Sequence, residues 1–189
     1  MGNNGVEVIL IGGSSGSIPV VMQIVNALPL AYSIPVVIVI HRLRNVDSDL
    51  AHAISATHVV REPEDKEPLR ESHIYLAPQN YHLLIENNRT FSMDYSEQVN
   101  YSRPSIDVTF ICAASVYREK ALGILLSGSN KDGADGLDAI IRKGGRALVQ
   151  DPANCDYPVM PQEALKKNCA IEIHNVTSII DVILGLANN

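Results

Sequence analysis

The stretch Val8-Ile9-Leu10-Ile11-Gly12-Gly13-Ser14-Ser15-Gly16-Ser17 decides how this chain folds. Its first four residues are apolar and mostly β-branched, as in a parallel-sheet strand buried on both faces. The strand runs into a loop built only of glycine and serine. Pro19 then opens a helical pattern that sets Val21, Ile24, Val25 and Leu28 on one side. A strand–loop–helix of this kind places its loop at the carboxyl edge of the sheet, where open α/β folds keep their ligands. Two uses of the loop compete. Its backbone N–H groups can cradle an anion at the helix start, or it can present a serine nucleophile.

The next strand separates the two uses. A dinucleotide loop needs G-x-G-x-x-G and an acid at the end of the following strand. With Gly13 and Gly16 as the second and third glycines, the first position falls on Ile11. The following apolar run, Pro35–Ile40, ends in His41 instead of an acid. No Gly-Lys-Ser/Thr follows, so the phosphate-loop pattern fails as well. A histidine at the end of the strand after a serine-bearing loop fits a nucleophile and its base.

Composition sets the wider limits. A length of 189 residues suits one domain, and 46% hydrophobic content with 5% aromatic describes an aliphatic α/β core. A formal charge of −6 speaks against a nucleic-acid or anionic-membrane surface. Cys112, Cys155 and Cys169 are an odd set without C-x-x-C spacing, which fits a reduced, cytoplasmic protein. No apolar run reaches a membrane span, and the first residues do not form a signal peptide. His52, His58, His73, His82 and His174 show no metal-ligand spacing, so neither a metal nor a cofactor is expected.

The rest of the chain alternates strands and helices. After the second strand come a short helix over Leu50–Ser55, capped by Asp47 or Ser48, and a third strand at His58–Val60. His73–Ala77 reads as a strand. Tyr81–Glu86 and Thr90–Tyr95, joined at Asn87-Asn88, read as an antiparallel hairpin attached to the main sheet. Pro104 starts a helix carrying Ile106, Phe110, Ile111 and Ala114. Ala121–Leu126 is a buried strand that ends in Ser127-Gly128-Ser129-Asn130-Lys131-Asp132-Gly133. A helix over 133–143, a strand over 146–150, a helix over 160–167, a strand near 170–173 and a helix over 176–186 complete the pattern. The fold class is therefore α/β: a doubly wound, mostly parallel sheet with helices on both faces and an antiparallel hairpin near 81–95.

Ser14, His41 and Asp132 all stand after strands, and the carboxyl ends of parallel strands share one edge. A serine hydroxyl needs a base to take its proton, and the base needs a carboxylate to fix its tautomer. The three residues supply those roles. Cys155, in a loop, is a rival nucleophile with no assigned base.

Five motifs occur in order: Ile-Gly-Gly-Ser14-Ser-Gly, the strand ending in His41, Arg103-Pro104-Ser105-Ile106-Asp107, Ser127-Gly128 followed by Asp132-Gly133, and Met160-Pro161. Together they resemble the catalytic domain of the chemotaxis protein-glutamate methylesterases, CheB, from about Val6 to Ile183. The resemblance implies a doubly wound α/β fold with Ser14 as nucleophile, His41 as base and Asp132 as its partner. It implies an oxyanion site at the backbone N–H groups of Ser15 and Ser129. The implied substrate is a glutamate γ-methyl ester on the cytoplasmic domain of a methylated chemoreceptor, hydrolysed with release of methanol, and the implied side activity is glutamine deamidation. Arg103 is left between binding a substrate carboxylate and pairing with Asp107. One domain is expected over 1–189, without the receiver domain usual in the family.

The chain departs from the family in three places. Ser-Thr-Gly-Gly is Ser14-Ser15-Gly16-Ser17, Thr-Gly-Met-Gly-x-Asp-Gly is Ser127 to Gly133, and Ala-Pro-Gly is Ala77-Pro78-Gln79. These departures keep open a catalytically impaired binding or signalling module of the same family. The glycine loop keeps open a nucleotide or phosphoanion binder.

Overall fold

The opening apolar run forms β1 (Val8–Gly13), buried along its whole length, and leads across the Ser14–Ser17 loop into α1 (Ile18–Ala27). In chain order there follow β2 (Val36–Ile40), α2 (Leu50–Ile54), β3 (Val60–Arg61), β4 (Ile74–Leu76), β5 (His82–Ile85), β6 (Phe91–Asp94) and α3 (Ile106–Tyr117). The chain continues through β7 (Ala121–Leu125), α4 (Ala134–Arg142), β8 (Arg146–Gln150), α5 (Val159–Lys167), β9 (Glu172–His174) and α6 (Val176–Leu186). The computed structural model describes residues 5–42 and 49–186. The expected caps Asp47 and Ser48 lie outside that range, and α2 starts after Asp49.

Seven strands form one sheet in the order β3-β4-β2-β1-β7-β8-β9, with every neighbouring pair parallel. Strand side chains alternate between the two faces. Val8, Leu10, Val37, Val39, Ala147 and Val149 therefore meet α3, α4 and α5 on one side. Ile9, Ile11, Ile38, Ile40, Ile124 and Leu148 meet α1 and α6 on the other. The direction of winding reverses between β1 and β7, and the crevice at that reversal is where this class of fold binds its ligands.

The hairpin is not part of this sheet. β5 and β6 pair only with each other, and Leu83, Ile85 and Phe91 pack into the α3-side core. The Thr109 hydroxyl of α3 donates to the Leu83 carbonyl at 2.7 Å, so a helix covers the side that a neighbouring strand would otherwise use. Two edge strands are shifted from their expected places. Ser55 Oγ accepts from the N–H groups of Thr57 and His58, which keeps them out of a ladder, and β3 begins at Val60. Asn168 accepts from the Ala170 N–H, holding that residue in a turn, and β9 begins at Glu172.

Candidate active site

The parallel register brings two of the singled-out residues together. Gly13 pairs with Ile40, so Ser14 and His41 are the next residues along adjacent strands, and the His41 N–H donates to the Gly13 carbonyl at 3.2 Å. On the other side the Ser14 N–H donates to the Ser127 carbonyl at 2.9 Å, which ties the loop to the end of β7. Ser14 to Ser17 then form a tight turn closed by the Ser17 N–H on the Ser14 carbonyl, with Gly16 at φ +78°. A side chain has no place there: a Cβ would lie 2.8 Å from Asp156 Cβ and 2.9 Å from Ser127 Oγ. Ser17 is the cap residue of α1, and its hydroxyl donates back to the Ser14 carbonyl at 2.6 Å. Ser14 does not cap the helix.

Asp132 lies on the loop after β7 and is fully buried. It does not cap α4, whose cap position is Gly133. Its carboxylate is instead aimed at the start of α3, where free backbone N–H groups favour an anion. Oδ2 accepts from the Ile106 N–H at 2.7 Å. Oδ1 accepts from Ser105 Oγ at 2.8 Å, the Asp107 N–H at 3.2 Å and Asn100 Nδ2 at 3.1 Å. Gly12 permits this approach, since a Cβ at that position would stand 2.5 Å from Ile106 Cγ2.

Oδ2 of Asp132 also meets His41 Nε2 at 2.7 Å. Burial alone would raise the Asp132 pKa, but the hydrogen bonds from His41 and Asn100 outweigh it and hold the carboxyl below its ordinary value. An ionised acid at Nε2 makes that nitrogen the donor, so the neutral ring carries its lone pair on Nδ1. Neither His41 Nδ1 nor the Ser14 hydroxyl has a hydrogen-bond partner among the described residues. The same holds for the backbone N–H groups of Ser15 and Ser129, which lie outside any helix or strand.

The altered loop is ordered by its new residue. Asn130 stands where the family motif has a glycine and does not take a positive φ, so no glycine is required. Its Oδ1 accepts from the Asp132 N–H at 3.1 Å, and its Nδ2 donates to the Asn100 carbonyl. Arg103 does not pair with Asp107. Its Nη1 donates to the carbonyls of Tyr95 (3.0 Å) and Ser96 (2.5 Å), and its guanidinium lies 3.9 Å over the Tyr95 ring. Cys155 is disarmed, since burial, reinforced by the charges of Asp151 and Asp156, pushes its thiol up to about 11.

The chain belongs to the CheB methylesterase family. It matches that family over residues 9–183. A provisionally named protein-glutamate methylesterase/protein-glutamine glutaminase of Leptospira interrogans is 39% identical over 185 residues, covering 97% of this chain and 96% of that protein. A protein-glutamate methylesterase/protein-glutamine glutaminase of Bordetella pertussis is 34% identical over 184 residues, covering 94% of this chain; the match spans 52% of that longer protein. The crystal structure of the Thermotoga maritima CheB methylesterase catalytic domain superposes with a TM-score of 0.89 at 28% identity, over 96% of this chain and 98% of that one. Membership places this protein among hydrolases.

Two residues that hold this CheB-family site, Asn100 and Ser105, were given no role from the sequence. Asn100 and Ser105 reach Asp132 directly, and His82 fixes Ser105. The Ser105 N–H donates to His82 Nδ1 at 3.1 Å, while His82 Nε2 donates to the Glu97 carbonyl at 2.9 Å. Ser105 carried a usable signal, as a serine just ahead of a helical run. Asn100 carried none beyond its neighbourhood to the Arg103-Pro104 motif.

Proposed function

We propose that this protein hydrolyses glutamate γ-methyl esters on the cytoplasmic helices of a methylated chemoreceptor, releasing methanol. The observation that carries the reading is the His41–Asp132 hydrogen bond formed beside Ser14, with His41 Nδ1 left open. Ser14 Oγ attacks the ester carbonyl carbon while His41 Nδ1 takes its proton. The imidazolium is held by Asp132 and returns the proton to the departing methoxy oxygen, so methanol leaves and an acyl-serine remains. Water then attacks the acyl carbon and gives a proton to His41, which passes it to Ser14 Oγ as the acyl bond to that oxygen breaks, so the serine is restored and the receptor side chain leaves as a glutamate carboxylate. The N–H groups of Ser15 and Ser129 receive the negative charge of the tetrahedral intermediate. A receptor glutamine enters the same cycle with ammonia as leaving group.

The residue chemistry requires no metal or cofactor. Arg103, held by the Tyr95 and Ser96 carbonyls, is the proposed contact for the substrate. No helix among the described residues is long and apolar enough to cross a membrane, and the proposed setting is the cytoplasm, with one methylesterase domain over 1–189. The test is methanol release from a methylated chemoreceptor signalling fragment, native against Ser14→Ala. Removal of a nucleophile should lower the rate by at least about a thousandfold. Equal release from both proteins would overturn the serine mechanism. No release from the native chain would overturn the substrate and favour a receptor-binding module without turnover.

A further inference from the structure

A second buried acid sits against Asp132 and takes no part in the chemistry above. Asp107, in the first turn of α3, is 4% exposed. Its Oδ1 accepts from the N–H groups of Gly133 (2.9 Å) and Gly136 (2.7 Å) at the start of α4. Each helix start thus holds a carboxylate from the neighbouring segment: α3 holds Asp132 and α4 holds Asp107. One side chain touches both acids. Asn100 Nδ2 has two hydrogens, and it donates to Asp107 Oδ2 at 2.7 Å and to Asp132 Oδ1 at 3.1 Å.

The backbone that delivers this amide is unusual. Val99 and Ser102 exchange backbone hydrogen bonds at 3.2 and 2.9 Å around a two-residue turn. Asn100 and Tyr101 stand at φ +49° and +64°. Two consecutive positive φ values make this a turn that ordinarily takes Asn-Gly, because a residue with a Cβ is strained at the second position. Here that position is a tyrosine, 94% exposed. The strain is kept where the turn points its asparagine at the triad carboxylate, and such outliers gather at functional sites.

We propose that Asn100 is a positioning residue for the triad: its amide, shared between Asp132 and Asp107, holds the two carboxylates together and orients Asp132 toward His41. The inference rests on the proposed esterase reading for its catalytic consequence, and on geometry alone for its electrostatic one. Two buried carboxylates side by side repel, and a donor common to both relieves the repulsion. The titratable side chains facing the pair are His41 after β2 and Asp135 in the first turn of α4, while His82 on β5 meets the Ser105 N–H beside them. None of them reaches both acids. Burial, followed by the charge of Asp132, already pushes Asp107 up to about 7, so the pair is poised to hold one proton near neutrality.

The test uses the full chain and the variant Asn100→Gly, which keeps the left-handed backbone at no steric cost and deletes only the amide. Carboxyl-carbon NMR of labelled aspartate follows Asp107 and Asp132 without any substrate. The ionisation midpoint of Asp107 should move up by roughly one pH unit, because its charged form loses a donor and the repulsion from Asp132 is no longer relieved. Methanol release should fall about tenfold in kcat with KM nearly unchanged. The double variant Asn100→Gly/Asp107→Asn offers an amide from position 107 to Asp132 Oδ1 and should recover part of the lost kcat.

A midpoint that stays in place while thermal stability drops would assign Asn100 a merely structural role and overturn the proposal. Failure of the double variant, folded by circular dichroism, to recover any kcat would do the same. If the native chain releases no methanol, the esterase reading falls by itself, and the aspartate titration still decides the role of Asn100.

Discussion

Fully buried Asp132 accepts five hydrogen bonds, and the substitution D132N challenges every one of them. An amide matches only one of the two carboxylate oxygens. If its NH2 group takes the place of Oδ2, it faces the Ile106 N–H and the Nε2 proton of His41. If it takes the place of Oδ1, it faces the Asp107 N–H and the Asn100 amide, while the Ser105 hydroxyl can turn to accept. In the first the His41 proton moves to Nδ1 and the amide is left facing the Ile106 N–H, donor against donor; in the second the amide faces two donors. A buried donor without a partner costs about 1–3 kcal/mol, and the lower cost of burying a neutral amide offsets part of that. The expected loss of stability is about 2–4 kcal/mol. The first orientation also forces the His41 proton onto Nδ1, removing the lone pair that would face Ser14; the second removes the charge that steadies the imidazolium. Methanol release should therefore fall at least about a hundredfold. The chain has no tryptophan, so unfolding in urea at neutral pH is followed by far-ultraviolet circular dichroism. A D132N protein within about 0.5 kcal/mol of the native chain would refute the argument that donors converge on a charged carboxylate.

Two further outcomes follow from the same geometry. Asp107 is neutral in the native protein up to a pH of about 7 but ionises near 3.9 when unfolded, so across that window the native state holds the extra proton. Its contribution to stability is complete below the lower value and is lost as pH rises through the upper one, at no more than about 1.4 kcal/mol per unit. Asp107→Asn should flatten the stability curve between about pH 4 and 7, and parallel curves for the two proteins would remove the shift. Gly16→Ala forces a Cβ into Asp156 and Ser127 at φ +78°. It should cost roughly 1–2 kcal/mol from the backbone alone and lower methanol release at least about tenfold by moving Ser14 and Ser15. Unchanged urea midpoint and rate would mean that the turn relaxes without displacing Ser14.

The sequence by itself determined the sheet and its helices. Runs such as Val8–Ile11 and Val36–Ile40 can be buried on both faces only as central parallel strands, and parallel strands require crossover helices. It also named Ser14, His41 and Asp132, because strand carboxyl ends must share an edge, and the CheB resemblance rested on short motifs that survive in order. The edges were less legible. β3 and β9 are short, and their limits are set by the side chains of Ser55 and Asn168, not by apolar periodicity. The separate hairpin depended on which surface α3 would cover, a matter of tertiary packing.

Only the tertiary structure decided how the site is held. The Asp132 carboxylate meets the start of α3, a helix that precedes its own strand in the chain, and Asp107 meets the start of α4 in exchange. Those bonds join residues 25 to 29 positions apart through backbone N–H groups, which every residue but proline possesses. No residue type announces them. Asn100 is hidden for the same reason: an asparagine in a polar loop reads as solvated until the fold brings two buried acids to its amide.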